Sequence, residues 1–287
     1  MPTLLYVSRE TLANRGCGEK FFFDISEVQQ VGSEGAQRAR GSKVPTSSCL
    51  LVSQPEIRLS YRNNIEQQKL LADFLSKSAH FELSEEKLGK LYDYADLVVE
   101  TKQFGNLISA KDSEKFLSRH IADSLMPYIY CCQAQIYADI MPLPSYFKEV
   151  HINSRWADMG AGAGCPVFPL AIAMPQVQFY AVEPRHMRVE FMNFAKEKLG
   201  LKNLTVVGKR FETSGLTDLD FISCRALSTF ENDWERAQPA LKNGGLFVTL
   251  KSFNSISHLE NDPAVHIYKY VLPNEEQDYA LVTRGNK

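Results

Sequence analysis

Asp158–Ile172 reads "DMGAGAGCPVFPLAI": an acidic residue, three glycines in quick alternation, then two prolines opening an apolar run. Placed after an apolar strand, "SRWADM", such glycines let the backbone turn sharply and approach a ligand closely. The helix that follows presents unpartnered N–H groups. Pro166 and Pro169 suit that turn and the first helical turn, where a missing amide donor forfeits nothing. The dinucleotide spacing G-x-G-x-x-G needs glycine at 165, but Cys165 stands there, while Gly160, Gly162 and Gly164 alternate. A nucleoside cofactor without a pyrophosphate fits this spacing better than a nicotinamide dinucleotide. Glu183 closes the next strand, "VQFYAVE", about where an acidic side chain accepts from both ribose hydroxyls. Asp158 complements a cationic ligand group, and S-adenosylmethionine offers a sulfonium and an amino group. A Gly-rich strand-to-helix turn without any ligand is the competing reading.

Downstream, apolar strands alternate with amphipathic helices, the pattern of a parallel sheet. Strands are expected at "LTVVGK", "LDFISCRA" and "LFVTLK", and helices at "HMRVEFMNFAKEKLG", closed by Gly200, and "FENDWERAQPALK", closed near Gly244. "HIYKYVL" and "YALVTR" follow without a long intervening helix, so the final pair is expected to be antiparallel. Upstream, three helices are expected: "NNIEQQKLLADFLSKS", "LSEEKLGKLYDYADLVVETK" capped by Ser84, and "DSEKFLSRHIADSL" opening on Asp112. Leu88, Leu91, Ala95 and Val98 recur at helical spacing and mark a buried stripe. The expected division is therefore a mobile extension over 1–60, a helical segment over 61–150 and a catalytic α/β domain over 151–287.

The chain of 287 residues is 44% hydrophobic, ample for a core, and its formal net charge of -2 excludes a diffusely basic nucleic-acid coat but not a local patch. Six cysteines without C-x-x-C pairs, no long apolar run and no export signal lead to the expectation of a cytoplasmic protein, without membrane or metal.

Six phrases in order resemble the RsmG (GidB) family of ribosomal RNA methyltransferases: "NLISAKD", "RHIADSL", "DMGAGAGCPVFPLAI", "NLTVVGKRFE", "SCRALSTF" and "LKNGGLFVTLKS", spanning about residues 85 to 255. The resemblance implies a class I fold: a Rossmann-like, seven-stranded sheet with an antiparallel terminal pair and an N-terminal helical segment. It implies S-adenosylmethionine as cofactor, 16S ribosomal RNA of the small subunit as partner, and N7 of a guanosine in the 530 loop as target. Carried over by position, the cofactor contacts are Gly160, Cys165, Phe211, Glu212 and Arg225, beside Asp158, Gly162, Gly164 and Glu183 from the reading above. Val167 and Met187 depart from the family, which commonly has glycine and lysine there.

Guanine N7 carries a free lone pair, so its methylation needs no base, and the "CRALS" after the fourth strand lacks the phrase that amino-group methyltransferases use. Arg225 is the expected catalytic residue, its guanidinium donating to guanine O6, a phosphate or the cofactor carboxylate. Arg188, Arg210 and Lys251, with Arg185 and Lys209, flank strand ends on one rim and are the expected RNA contacts. Arg119, His120 and Asp123, three and four apart, share a helix face and serve either the rim of the cofactor pocket or a polar network to the core. A monomer is expected. The competing functions are a small-molecule methyltransferase and a non-catalytic ribosome-associated module.

Overall fold

Parallel strands covered on both faces are buried along most of their length, as Trp156–Met159 and Phe221–Cys224 are. In the computed structural model, which describes residues 60–79, 82–137 and 150–286, β1 (Arg155–Met159) pairs in parallel with β2 (Gln178–Val182) on one side and β4 (Leu219–Arg225) on the other. β3 (Leu204–Val207) and β5 (Leu241–Ser252) extend the sheet outward, and β7 (Asp278–Gly285) lies antiparallel between β5 and the edge strand β6 (Val265–Val271). The order β3-β2-β1-β4-β5-β7-β6 is the class I methyltransferase arrangement. Its switch point, where ligands bind in open α/β sheets, lies between β1 and β4. The extension expected over 1–60 lies almost wholly outside the described residues, as do residues 138–149.

Period-two alternation sorts the strand side chains onto two faces. Trp156, Phe179, Phe221, Leu246, Tyr270 and Leu281 pack into one core with α1 (Ile65–Ala79), α2 (Glu85–Glu100), α3 (Ala122–Tyr137), α4 (Val167–Ala173) and α5 (His186–Leu199). Ala157, Met159, Ile222 and Phe247 pack on the opposite face with α6 (Phe230–Ala237). Asp158, Ser223 and Arg225 therefore share the face that the helical segment covers.

Ser84 caps α2 by accepting from the Lys87 amide, and Gly200 ends α5 in the left-handed region at φ 65°, both as expected. Two segments differ. The third helix does not open on Asp112: Ser109 caps a short turn, Ala110–Ser113, and Phe116–Ile121 is wound as a π turn that leads into α3. Pro127 inside α3 has no amide to offer the Asp123 carbonyl, a gap that lies beyond the π turn. The helix expected to close near Gly244 stops at Ala237 because Pro239 cannot continue it. Gly244, at φ 75°, lies within β5, beside a bulge in the β4–β5 register. Among the described residues no helix is long and apolar enough to cross a membrane.

Candidate active site at the carboxyl ends of β1, β2 and β4

After Met159 the chain turns through Gly160, Gly162 and Gly164, all at positive φ (74°, 60° and 107°). The turn is fixed at both ends: the Gly160 and Ala161 amides donate to the Val182 carbonyl, and the Gly164 carbonyl accepts from the Phe168 amide at 2.8 Å. A Cβ on Gly164 would stand 2.4 Å from the Phe168 ring, so only glycine fits. Tyr94 of α2 stacks on Phe168 at 5.0 Å, donates to the Ala163 carbonyl at 2.9 Å and touches Cys165 Sγ at 3.4 Å. Val167 is fully buried as the first residue of α4, and the left-handed positions fall on the three glycines before it.

Beneath the glycines lies Asp158, 1% exposed. Its Oδ1 accepts from the Ser223 hydroxyl at 2.8 Å, while Oδ2 is buried with no hydrogen-bond partner among the described residues. Burial dominates its titration, and although Ser223, the charge of Arg225 and the Val167 amide oppose it, the carboxyl is pushed up to about 7. Two residues along β4, the Arg225 Nη1 meets Asp123 Oδ2 at 3.2 Å and the His120 carbonyl at 3.5 Å. Burial disfavours the Arg225 charge, but Cys165 and Asp123 more than offset it and the guanidinium stays cationic. His120 is driven down to about 4, by burial and then by Arg225, so it is neutral at physiological pH and competes for no anion.

Glu183, also 1% exposed, accepts from the Gly162 amide at 3.0 Å and from the Arg185 amide and side chain at 2.9 and 2.8 Å. Burial alone would raise its pKa, but these donors hold it below the usual carboxylate range. The turn after β1 and the acidic end of β2 thus form one hydrogen-bonded unit.

The sequence profile of the family described as rRNA small subunit methyltransferase G matches residues 87–277. The chain belongs to this family. Ribosomal RNA small subunit methyltransferase G of Helicobacter pylori (strain ATCC 700392 / 26695) is 34% identical over 162 residues, covering 56% of this chain and 80% of the relative. The enzyme of the same name from Caldicellulosiruptor bescii is 30% identical over 209 residues, covering 67% and 81%. A solved structure described as M. jannaschii TYW2 in complex with AdoMet is 14% identical with a TM-score of 0.36 and covers 47% of this chain and 69% of its own.

Family membership brings S-adenosylmethionine as cofactor, and the residues at this edge fit it. The buried Asp158 Oδ2, without a hydrogen-bond partner among the described residues, is an acceptor suited to a donor or a cation, Gly160 and Gly162 are half-buried at this edge, and the Glu183 carboxylate lies at the neighbouring strand end. Phe211 is buried after β3, whereas the exposed Glu212 pairs with Arg236. Ser223 and Tyr94 were not singled out from the sequence. Ser223 is a small hydroxyl in the otherwise apolar "LDFISC", and Tyr94 falls one position from Ala95 on the stripe of α2.

The rim cations of this family member divide. Arg188, expected at RNA, donates instead to the Leu107 and Asn106 carbonyls at 2.8 and 2.9 Å. It thereby holds the loop bordering a groove of about 550 Å³ between α2 and α5. Lys251, also expected at RNA, is 7% exposed and pairs with the fully buried Asp233 at 2.7 Å, because that carboxylate would otherwise be buried without a cation. Arg210 and Lys209 are exposed. Arg119 and His120 turn toward Asp112, at 2.9 and 3.5 Å, and Asp123 toward Arg225, so the expected helix face serves two different partners.

Proposed function

We propose that this protein methylates N7 of a guanosine in the 530 loop of 16S ribosomal RNA, as a cytoplasmic monomer. The observation that carries the reading is the state of Arg225: a cationic guanidinium at the switch point, its side chain 19% exposed, held at Nη1, with Nε and Nη2 lacking hydrogen-bond partners among the described residues. Those two donors suit guanine O6, the acceptor beside N7 on the base edge. N7 methylation needs an oriented base and no proton acceptor, and the one imidazole beside Arg225, His120, is turned to Asp112.

S-adenosylmethionine, when bound, supplies an electrophilic methyl group. The chain's own residues do the rest. Asp158 holds a cationic part of the cofactor, Gly160, Gly162, Gly164 and Cys165 line its approach, and Glu183 takes the ribose once Arg185 yields. Phe211 and Glu212 border the far end. Arg225 orients the acceptor base, and exposed Arg210 meets RNA phosphate; an unstacked loop base can enter such a site, as a base in a duplex cannot.

The test is transfer of labelled methyl from S-adenosylmethionine to small-subunit RNA, followed by mapping the modified nucleotide. Label at N7 of one guanosine is expected, lost in Arg225→Gln. Label only on protein or on a small molecule overturns the reading.

A further inference from the structure

Arg225 is not held by its own strand. Its Nη1 is fixed by Asp123, which arrives from α3 just after the π turn, and Asp123 is fixed in turn by Tyr270 of the edge strand β6, whose hydroxyl donates to Oδ1 at 2.5 Å. Each oxygen of this carboxylate thus has one donor, on a group only 7% exposed. Tyr270 is itself steadied by stacking on Tyr279 of β7, with centroids 6.0 Å apart and planes at 23°.

We propose that Asp123 and Tyr270 are positioning residues for methyl transfer, acting through Arg225; the proposal rests on the role given to Arg225 above. A guanidinium is planar, so fixing Nη1 fixes the plane and the direction in which Nε and Nη2 point. A buried ion pair is a poor source of stability, since well-packed apolar residues of similar volume commonly do as well. Orientation of a donor is something that an apolar pair cannot supply. The chain takes that orientation from the helical segment and from the antiparallel hairpin, two parts lying outside the βα units that carry the glycine turn. It also explains why a tyrosine hydroxyl is spent deep beneath an edge strand: without it Oδ1 would be a buried carboxylate oxygen lacking a donor, free to rotate the carboxyl away from Arg225.

The experiment is a double-mutant cycle on the full-length protein. Tyr270→Phe and Asp123→Asn are each made in the wild-type and in the Arg225→Lys backgrounds. Single-turnover methyl transfer to small-subunit RNA and S-adenosylmethionine affinity by calorimetry are measured, with near-UV circular dichroism to confirm the fold. In the wild-type background Tyr270→Phe is expected to slow transfer roughly five- to fiftyfold, and in the Arg225→Lys background less than twofold, because residues acting through one another are not additive. Equal losses in both backgrounds overturn the proposal and make Tyr270 a packing residue. Asp123→Asn gives the same pattern independently should Tyr270→Phe fold poorly. If the wild-type protein transfers no methyl to RNA, the substrate reading falls, and the positioning role is then decided by crystal structures of the wild type and Tyr270→Phe: an Arg225 guanidinium in the same orientation in both overturns it.

Discussion

In the cofactor-holding role proposed for Asp158, its carboxyl makes cofactor affinity a function of pH. With its pKa pushed up to about 7 by burial, roughly 90% of the ligand-free protein carries it protonated at pH 6. A cation placed at the partnerless Oδ2 favours the ionised form, so binding must expel that proton. Affinity should then fall about tenfold per pH unit below 7 and level off above it, which between pH 8 and pH 5 amounts to about a hundredfold, or roughly 2.7 kcal/mol. Calorimetry with S-adenosylmethionine in buffers of different ionisation enthalpy should count about 0.9 proton released at pH 6 and about 0.1 at pH 8. In Asp158→Asn the dissociation constant should be weak and flat. Stability carries the same signature with the opposite sense. A raised carboxyl pKa favours the folded state at low pH, and that contribution disappears as pH climbs from about 4 through 7, a loss of at most roughly 4 kcal/mol. Asp158→Asn should show a shallower decline, keeping the part that the raised carboxyl of Asp123 contributes, and gain on the wild type at pH 8. A wild-type dissociation constant that is flat from pH 5 to 8, or one whose slope persists in Asp158→Asn, refutes the reasoning.

Gly164→Ala drives a methyl into the Phe168 ring at φ 107° and should cost about 3 kcal/mol or more by urea denaturation, whereas Gly200→Ala, at φ 65° in open space, should cost only about 1 kcal/mol. Lys251→Met strands Asp233 and should destabilise by about 3–5 kcal/mol while the salt dependence of RNA binding stays as in the wild type; a changed salt slope would return Lys251 to the RNA face. Replacing exposed Lys209 and Arg210 together by glutamine should reduce the slope of log K against log salt by about 1.4, the value for two phosphate contacts on single-stranded RNA, and Arg188→Gln should leave it unchanged.

The β/α order was legible because the apolar pattern changes period along the chain, and Asp158, the glycines and Glu183 were legible because a strand end followed by a turn fixes where side chains go. Long-range partners were not. Arg188 and Lys251 look alike on paper, as cations near strand ends. Their acceptors, the Asn106 and Leu107 carbonyls and the Asp233 carboxylate, come from other elements, and no local spacing announces that. The π turn was illegible for a related reason: three-and-four spacing of Arg119, His120 and Asp123 is shared by ordinary helix. Gly244 reads as a helix stop in sequence, yet the same left-handed freedom serves a strand beside a bulge.

What the helical segment contributes follows from these partners. Tyr94 props the glycine turn, Asp123 holds Arg225, and the Asn106–Leu107 carbonyls take Arg188, so three contacts at the cofactor edge originate before β1. The family match begins at residue 87, within α2, and so includes all of them while leaving α1 outside. Yet α1 is tied to the π turn: Gln67 Oε1 accepts the Ser118 amide at 3.2 Å, and Tyr61, just before α1, donates its hydroxyl to the Ser113 carbonyl. A widened turn leaves backbone groups short of their helical partners, and buried backbone groups must be satisfied from somewhere. In this chain α1 and the residue run leading into it supply partners to two of them, the Ser118 amide and the Ser113 carbonyl, so the winding that leads toward Asp123 is held in part by a helix that lies beyond the family's matched span.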